Sequence, residues 1–295
     1  MDAISLLNTK TEIFEAYQAI QSALAETERQ MDALKSLPMP QLCSKPDPIT
    51  VCIPYVKNLS QGNELQLALR GWDLNFKQEM NVVIIGDRED WMNDQVHVID
   101  CERFSSMPPL DVVHKMMLAI ESELVTEKFI WANDDQYLIS PCMLADFETL
   151  KCTGRLGDKQ FGSTLYQQNK KRTADLLKRN NQSTWDFSTH IPVVFEKEKL
   201  KSMIEGLNLT EEPHLVATLY FNSFFPGFVP YECESQIALE HDNLKLGVYR
   251  PDADMNRLKN LLQRKKLISN SESGWTDKLS EILNSFFSFK CRFEN

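Results

Sequence analysis

Short apolar segments that each end in polar residues recur along residues 49–135, and this alternation is the strongest constraint on the fold. The segments are residues 49–55, 81–87, 96–100 and 129–132. Continuous β-branched and apolar runs of this length are typical of buried strands in a parallel sheet. Between them, apolar residues recur at helical spacing over residues 65–76 and again after Pro108 and Pro109. The order predicts an α/β fold with a mainly parallel sheet flanked by helices and right-handed crossovers.

The polar residues that follow these strands predict a binding site. Lys57 and Asn58 follow the first strand, Asp87 and Asp100 end the second and third, and residues 133–135 follow the fourth. Ligands of parallel α/β sheets bind in the crevice outside the carboxyl ends of the strands. We therefore expect these side chains to meet at one edge of the sheet.

The second half of the chain has a less regular pattern. A basic segment, residues 170–179, and residues 197–206 both read as helices, with Gly206 suited to a C-terminal cap. Residues 220–231 are aromatic and contain two prolines and a glycine, which predicts a packed loop. Residues 279–287 are a further helix candidate near the C-terminus.

The first 37 residues have a heptad pattern. Apolar and similar residues alternate at spacings of four and three: Ile13, Tyr17, Ile20, Leu24, Thr27, Met31 and Leu34. Such a helix can join a coiled coil, giving a homo-oligomer through residues 1–37, or can lie against its own chain. Four prolines between residues 38 and 48 then predict a stiff linker. The expected domains are residues 1–44, the helix and linker, and residues 45–295.

Charge and composition exclude some classes of function. The net charge is −10 and the pI is about 5.1, which disfavours nucleic acid as a partner. The seven cysteines are dispersed without a CxxC pair, which favours free thiols over zinc ligands or a disulfide framework. The sequence has neither a signal-peptide pattern nor an apolar block of membrane-spanning length. We therefore expect a cytoplasmic protein, with a peripheral position at the inner membrane face left open.

The acidic triplet Asn133-Asp134-Asp135 directly follows a predicted buried strand. Mg²⁺ and Mn²⁺ favour carboxylate and phosphate oxygens, so a cation here could join this acidic protein to a diphosphate. The alternative is an ordinary strand-ending turn, in which Asn and Asp are common.

The triplet resembles the DxD-type metal motif of GT-A-fold glycosyltransferases. Further segments narrow the resemblance to the bacterial Stealth-type capsular sugar-phosphate transferases and neighbouring glycosyltransferases. These segments are residues 64–70, 82–87 and 129–138, and His190-Ile-Pro192. The ending Cys291-Arg-Phe-Glu294 is similar to that of related bacterial transferases. The likeness spans residues 49–294 as separate short patches.

This resemblance implies a GT-A-like, Rossmann-related fold and a nucleotide-sugar-dependent enzyme. The expected reaction is metal-dependent transfer of a sugar from a nucleoside diphosphate sugar to a glycan or lipid-linked acceptor in surface polysaccharide synthesis. Residues 51–56 lack the aspartate with which Stealth proteins usually open, so sugar-1-phosphate transfer is the alternative and not the leading reaction. A non-catalytic coiled-coil assembly protein is the second alternative.

Two kinds of role, metal binding and catalysis, are expected for the acidic triplet and His190. Asp134 and Asp135 would bind Mn²⁺ or Mg²⁺, and Asn133 would orient them or the sugar. His190 and Asp135 are the catalytic candidates, because a histidine on a constrained loop can act as a general base or hold a phosphate. The alternative for His190 is a structural role.

Four further residues are candidates for substrate binding. Asp87 would contact the nucleoside, and Lys115 a phosphate or sugar hydroxyl, although a turn residue and a solvated lysine are the plain alternatives. Arg70 and Arg292 would contact the diphosphate, or else form structural ion pairs.

Overall fold

A computed structural model describes residues 18–27, 29, 47–158, 160–232, 243–245, 265–270 and 275–295. The chain divides into two compact units, Met1–Asp47 and Pro48–Asn295. In the first, residues 18–27 are helical, and Ile20 and Leu24 of the heptad pattern are exposed. The other heptad positions except Thr27, and the linker prolines 38, 40 and 46, lie outside the described residues. Self-association and the domain boundary at residue 44 stay predictions.

The second unit alternates strands and helices. Its strands are β1 (Ile49–Tyr55), β2 (Met80–Gly86), β3 (Val96–Ile99), β4 (Lys128–Trp131), β5 (Gln136–Leu138), β6 (Lys151–Cys152), β7 (Val193–Glu196), β8 (Tyr231–Glu232), β9 (Asn243–Lys245) and β10 (Leu267–Ser269). Its helices are α1 (Glu64–Asn75), α2 (Pro108–Glu121), α3 (Leu144–Glu148), α4 (Leu165–Arg179), α5 (Lys197–Gly206), α6 (Val216–Phe224) and α7 (Asp277–Phe286). No described helix is long and apolar enough to cross a bilayer.

The central sheet has five strands in the order β3-β2-β1-β4-β7. The pairs among the first four strands are parallel, and β7 runs antiparallel to β4. The predicted α/β fold with a mainly parallel sheet flanked by helices is confirmed. The antiparallel strand β7 was not predicted as a strand.

Helices cover both faces of this sheet, which explains why its strands are largely apolar. Along β2, Val82 and Ile84 pack with α1 on one face, whereas Val83 and Ile85 pack with α2 on the other. Helices α4, α5 and α6 extend the second face. The outer side of α1 packs against β5, β10 and α7.

Two local predictions are wrong. Residues 220–224 are helical rather than a loop, because Leu219, Tyr220 and Phe221 are buried at the end of α6 and the first proline comes only after Phe225. Gly206 is the last residue of α5 rather than its left-handed cap. Asn208, with φ of 50°, supplies the left-handed conformation.

The glycine that ends β2 is required by its backbone. Gly86 has φ of +135°, and a Cβ at this position would lie 1.9 Å from the carbonyl oxygen of Tyr55 on β1. We expect Gly86→Ala to lower the free energy of unfolding by at least about 2 kcal/mol, because the conformation is strained for any L side chain and the neighbour is rigid backbone. Urea denaturation measures the change. Gly206→Ala is the control, since nothing lies within 4 Å of its Cβ position, and it should be neutral or stabilising.

Candidate functional site

A cavity of about 280 Å³ opens at the carboxyl ends of β1 and β4. Its lining comes from the end of β1 and the loop after it, the start of α1, the loop before α2 and the first two turns of α2, and the segments after β4 and β10. These residues are Pro54, Val56, Leu59, Ser60, Gln61, Glu64, Arg103, Pro108, Asp111, Val112, Lys115, Asn133, Asp134, Asp135 and Asn270. Strand order reverses between β1 and β4, because α1 leads towards β2 on one side and α2 returns to β4 on the other. The cavity therefore lies at the topological switch point, where α/β sheets bind ligands.

The acidic triplet forms a tight connection from β4 to β5. The backbone N–H of Asn133 donates to Oε1 of Gln136 at 2.9 Å, and the carbonyl of Asp135 accepts from the N–H of Asn270 at 3.3 Å. Asp135 Oδ2 lies 3.0 Å from Nε2 of His190. Its Oδ1 is buried without a hydrogen-bond partner among the described residues. A buried, unsatisfied carboxylate oxygen is costly, so this atom points to a missing partner.

Negative charge is concentrated around the triplet. Burial, together with the nearby carboxylates of Asp135 and Glu64, raises the pKa of Asp134 to about 7. The pKa of the Glu64 carboxyl is also raised, mainly by burial and in part by the charge of Asp135. Hydrogen bonds from Asn270 and from the N–H of Gln61 lower this pKa but do not outweigh burial. These carboxylates repel one another, and a bound cation would relieve the repulsion.

Two cationic side chains also line the cavity. Lys115, two turns into α2, has a side chain only 1% exposed. Its Nζ donates to the carbonyl of Tyr55 at 3.0 Å and lies 3.4 Å from Asp111 Oδ2. Arg103, in the loop before α2, is exposed and donates to the carbonyl of Ser106 at 2.9 Å. Both cations line the same cavity as the carboxylates, so the site combines groups for a phosphate with groups for a metal ion.

His190 belongs to this site through Asp135. Its φ of 53° is in the left-handed region, which is uncommon for a residue other than glycine. Pro192 follows two residues later and leads into β7. The strained backbone places the imidazole against Asp135, and such strain is often found at functional sites.

Three predicted site residues are held elsewhere. Asp87 directly follows β2. Its Oδ2 accepts from the N–H of Lys57 at 2.7 Å, so it fixes the loop after β1 and does not line the cavity. Arg70 is paired with Glu294 and Arg292 with Asp73. Both arginines thus make the ion pairs given above as the alternative, and neither lines the cavity.

Sequence reasoning missed several polar residues of the cavity, of which Glu64, Asn270 and Arg103 lie in three separate segments. Glu64 is the first residue of α1 and lies in the segment 64–70, which was used above only for the family resemblance. Its Oε1 accepts from Nδ2 of Asn270 at 2.5 Å. Asn270 also accepts from the hydroxyl of Tyr137 at 2.8 Å. Arg103 comes from an irregular loop. No local sequence pattern marks Arg103 or Asn270, because only the folded topology brings them to the triplet.

The residues present fit a cation that shares its ligands with a substrate. Among the described residues, no three His, Cys, Asp or Glu side chains are arranged to hold a metal ion by themselves. Mg²⁺ is usually held by one or two carboxylates together with substrate phosphates and water. The unsatisfied Oδ1 of Asp135 and the adjacent carboxylate of Asp134 match that donor set.

No protein-family model matches this chain, and no curated protein matches it. Solved structures with weak similarity include GlyE of Streptococcus pneumoniae TIGR4, a glycosyltransferase, with 10% identity over 82% of this chain and 60% of GlyE and a TM-score of 0.39. LgtC, in an active-site mutant form, has 9% identity over 81% of this chain and 95% of its own, with a TM-score of 0.42. A 4-diphosphocytidyl-2C-methyl-D-erythritol synthase has 15% identity over 73% and 99%, with a TM-score of 0.39. Similarity at this level identifies neither a family nor a reaction, so the function is inferred from the geometry of the cavity.

Proposed function

We propose that this chain is a metal-dependent glycosyltransferase that uses a nucleoside diphosphate sugar. The acceptor would be a hydroxyl of a glycan or lipid-linked molecule in surface polysaccharide synthesis, met in the cytoplasm or at the inner membrane face. The observation that carries the proposal is the switch-point cavity, in which the unsatisfied oxygen of Asp135 and the cations Lys115 and Arg103 line one space. A diphosphate needs positive charge, and carboxylates alone would repel it.

The residues of the cavity divide into two groups. Asp134 and Asp135 would hold Mn²⁺ or Mg²⁺, which when bound would offset negative charge on the leaving diphosphate. Lys115 and Arg103 would donate hydrogen bonds to the diphosphate oxygens. The side-chain amide of Asn133, which lines the same cavity, would bind a sugar hydroxyl.

His190 is the proposed general base. When the neutral ring carries its proton on Nε2, that nitrogen donates to Asp135 and Nδ1 is the basic nitrogen. His190 would take the proton of the acceptor hydroxyl. The oxygen of that hydroxyl would bond to the anomeric carbon of the donor sugar while the bond from that carbon to the diphosphate breaks. Asp135 would orient the ring and stabilise the imidazolium that results, as a carboxylate does in other histidine–carboxylate pairs.

Sugar-1-phosphate transfer is the alternative reaction, and the product distinguishes the two. Glycosyl transfer releases a nucleoside diphosphate, whereas sugar-phosphate transfer releases a nucleoside monophosphate. The end of β1, Tyr55 and Val56, brings no carboxylate to the cavity. This favours glycosyl transfer.

A thermal-shift screen of nucleoside diphosphate sugars with and without Mn²⁺ tests the proposal. We expect at least one donor to raise the melting temperature by several degrees only when Mn²⁺ is present, because a ligand at about 100 times its dissociation constant adds about 2.7 kcal/mol. Mn²⁺ alone and each donor with EDTA are the controls. Failure of every donor, or a shift that does not depend on the cation, would contradict the proposal and favour an assembly protein.

A further inference from the structure

A buried carboxylate at the edge of the cavity has no role in the reaction proposed above. Glu64 is the first residue of α1 and lines the cavity, yet only 4% of it is exposed. A carboxylate out of contact with water is unfavourable unless hydrogen bonds satisfy its oxygens. The partners of Glu64 therefore indicate what this group does.

Both carboxylate oxygens of Glu64 are bound by the protein. Oε1 accepts from Nδ2 of Asn270 at 2.5 Å, and Oε2 accepts from the N–H of Gln61 at 2.7 Å. Hydrogen bonds to a carboxylate are about twice as strong as those between neutral groups. Glu64 therefore joins the start of α1 firmly to Asn270, which directly follows β10.

Asn270 passes this restraint to the segment that carries Asp135. Its Oδ1 accepts from the hydroxyl of Tyr137 at 2.8 Å, and its backbone N–H donates to the carbonyl of Asp135 at 3.3 Å. Because Asp135 and Tyr137 belong to one short segment, these bonds hold that segment at two points. Tyr137 and Asn270 are at most 1% exposed, so water does not compete for these groups.

The backbone ladder by itself gives Asp135 little restraint. Strands β5 and β10 pair antiparallel over three residues, and the last of these pairs joins Gln136 to Ser269. Asp135 and Asn270 lie just beyond the end of this ladder. Hydrogen bonds at the end of a short ladder open more readily than those inside it. The side-chain contacts of Asn270 supply the restraint that the ladder lacks at this position.

The placement of Asp135 decides whether the site can work. Its Oδ2 lies 3.0 Å from Nε2 of His190, and its buried Oδ1 is the atom proposed to bind the cation. A shift of the Asp135 backbone would move both oxygens together. Metal ligands and catalytic groups need their geometry held within about 0.5 Å by the residues behind them.

We infer that Glu64 is a positioning residue of the reaction proposed above, on which this inference rests. Through Asn270 it holds Asp135 where one oxygen can take the cation and the other can orient His190. Glu64 itself binds neither the cation nor the substrate in this role. If Glu64 acted only through its negative charge, a variant that keeps this charge and removes the Asn270 amide would bind the cation normally.

Asn270→Ala tests this role, because it removes the contact and leaves the charge of Glu64 in place. We expect Mn²⁺ alone to bind at least about tenfold more weakly than to the wild type, since residues that hold metal ligands typically contribute that much. Water-proton relaxation measures the Mn²⁺ dissociation constant. Hydrogen–deuterium exchange of residues 133–137, measured by mass spectrometry, should also become faster in this variant.

Asn75→Ala is the matched control. Asn75 is buried at the other end of α1, and its Nδ2 donates to the carbonyl of Leu138 at 2.6 Å, so it also joins α1 to β5. Its loss should lower stability to urea without changing Mn²⁺ binding or the exchange of residues 133–137. A purely structural role for Asn270 would make the two variants alike.

A reciprocal swap of the two side chains provides a rescue. Glu64→Gln alone leaves two amides facing each other, or else gives up the bond from Gln61, and should speed exchange of residues 133–137. Glu64→Gln combined with Asn270→Asp places the carboxylate on the other side of the same contact. The amide at position 64 can donate to it and still accept from Gln61, while Tyr137 keeps an acceptor. The double variant should therefore regain slow exchange and Mn²⁺ binding relative to Glu64→Gln.

The failure of this inference and the failure of the proposed function can be distinguished. Asn270→Ala with either Mn²⁺ binding or exchange as in the wild type would overturn the role of Glu64 and leave the proposed function intact. Equal losses of Mn²⁺ binding in Asn270→Ala and Asn75→Ala would overturn it as well, because general destabilisation would then explain both. A wild type that binds neither Mn²⁺ nor any nucleoside diphosphate sugar would overturn the proposed function and this inference together.

Discussion

Asp135→Asn is expected to reduce glycosyl transfer by at least about 100-fold, because it removes charge from the group that would hold the cation and orient His190. The amide keeps the size of the side chain and can still accept from Nε2 of His190. The substitution would also abolish the increase in melting temperature that Mn²⁺ and the nucleotide sugar produce together. Release of nucleoside diphosphate measures the rate, and a thermal shift measures binding.

The same variant should be at least as stable as the wild type when no ligand is present. Asp135 raises the pKa of both Asp134 and Glu64, so the neutral amide removes repulsion between ionised groups. A gain in stability with a loss of activity is the signature of a functional group. Asp94→Asn, at a fully exposed carboxylate, is the control and should change neither property. Unchanged activity in Asp135→Asn, or activity lost together with the fold, would refute the assignment.

The strands of the central sheet were predictable because burial on both faces leaves a signal in the sequence. Val82 to Ile85 alternate between two apolar clusters, so each position is apolar. The antiparallel β7 was harder, because its four residues follow an irregular segment and its pairing with β4 spans over 60 positions of the chain. Short elements depend on tertiary contacts that local composition does not encode.

The acidic part of the site was predictable because its residues are adjacent in sequence. Asn133, Asp134 and Asp135 follow one strand, and the fold brings His190 to them. Arg103 reaches the cavity from another segment, by topology alone. A sequence also cannot distinguish an arginine that binds phosphate from one that pairs with a carboxylate of the same chain, which is why both roles were open for Arg70 and Arg292.

The Arg70–Glu294 pair gives the largest expected effect on stability. Arg70 donates from Nε and Nη2 to the two carboxylate oxygens of Glu294 at 2.6 and 2.8 Å, and Gln66 donates to the same carboxylate at 2.6 Å. Nη1 of Arg70 also donates to the carbonyl of Phe287 at 2.8 Å. This ion pair thus holds the segment around Glu294 against α1. The side chain of Glu294 is only 2% exposed.

We expect Glu294→Ala to lower the free energy of unfolding by about 3–5 kcal/mol, because it leaves the guanidinium of Arg70 largely buried without its counter-charge. Urea denaturation measures the loss. Asp73→Ala breaks the more exposed pair with Arg292 and is the control, with an expected loss of less than about 1 kcal/mol. Equal losses in the two variants would contradict the assignment of Glu294 as a buried anchor.

The pH dependence of stability provides an independent test of the same carboxylate. Burial acts to raise the pKa of Glu294, but hydrogen bonds from Arg70, Cys291 and Gln66 outweigh it and hold the pKa at about 2. Lowering this pKa from 4.5 corresponds to about 3 kcal/mol of stability. That contribution is fully present above pH 4.5 and is lost as the pH falls towards 2, because the unfolded chain then binds the proton more readily than the native one. The stability difference between the wild type and Glu294→Ala should therefore shrink over this range, and a difference that stays constant with pH would show that packing, and not the charge of Glu294, secures the chain end.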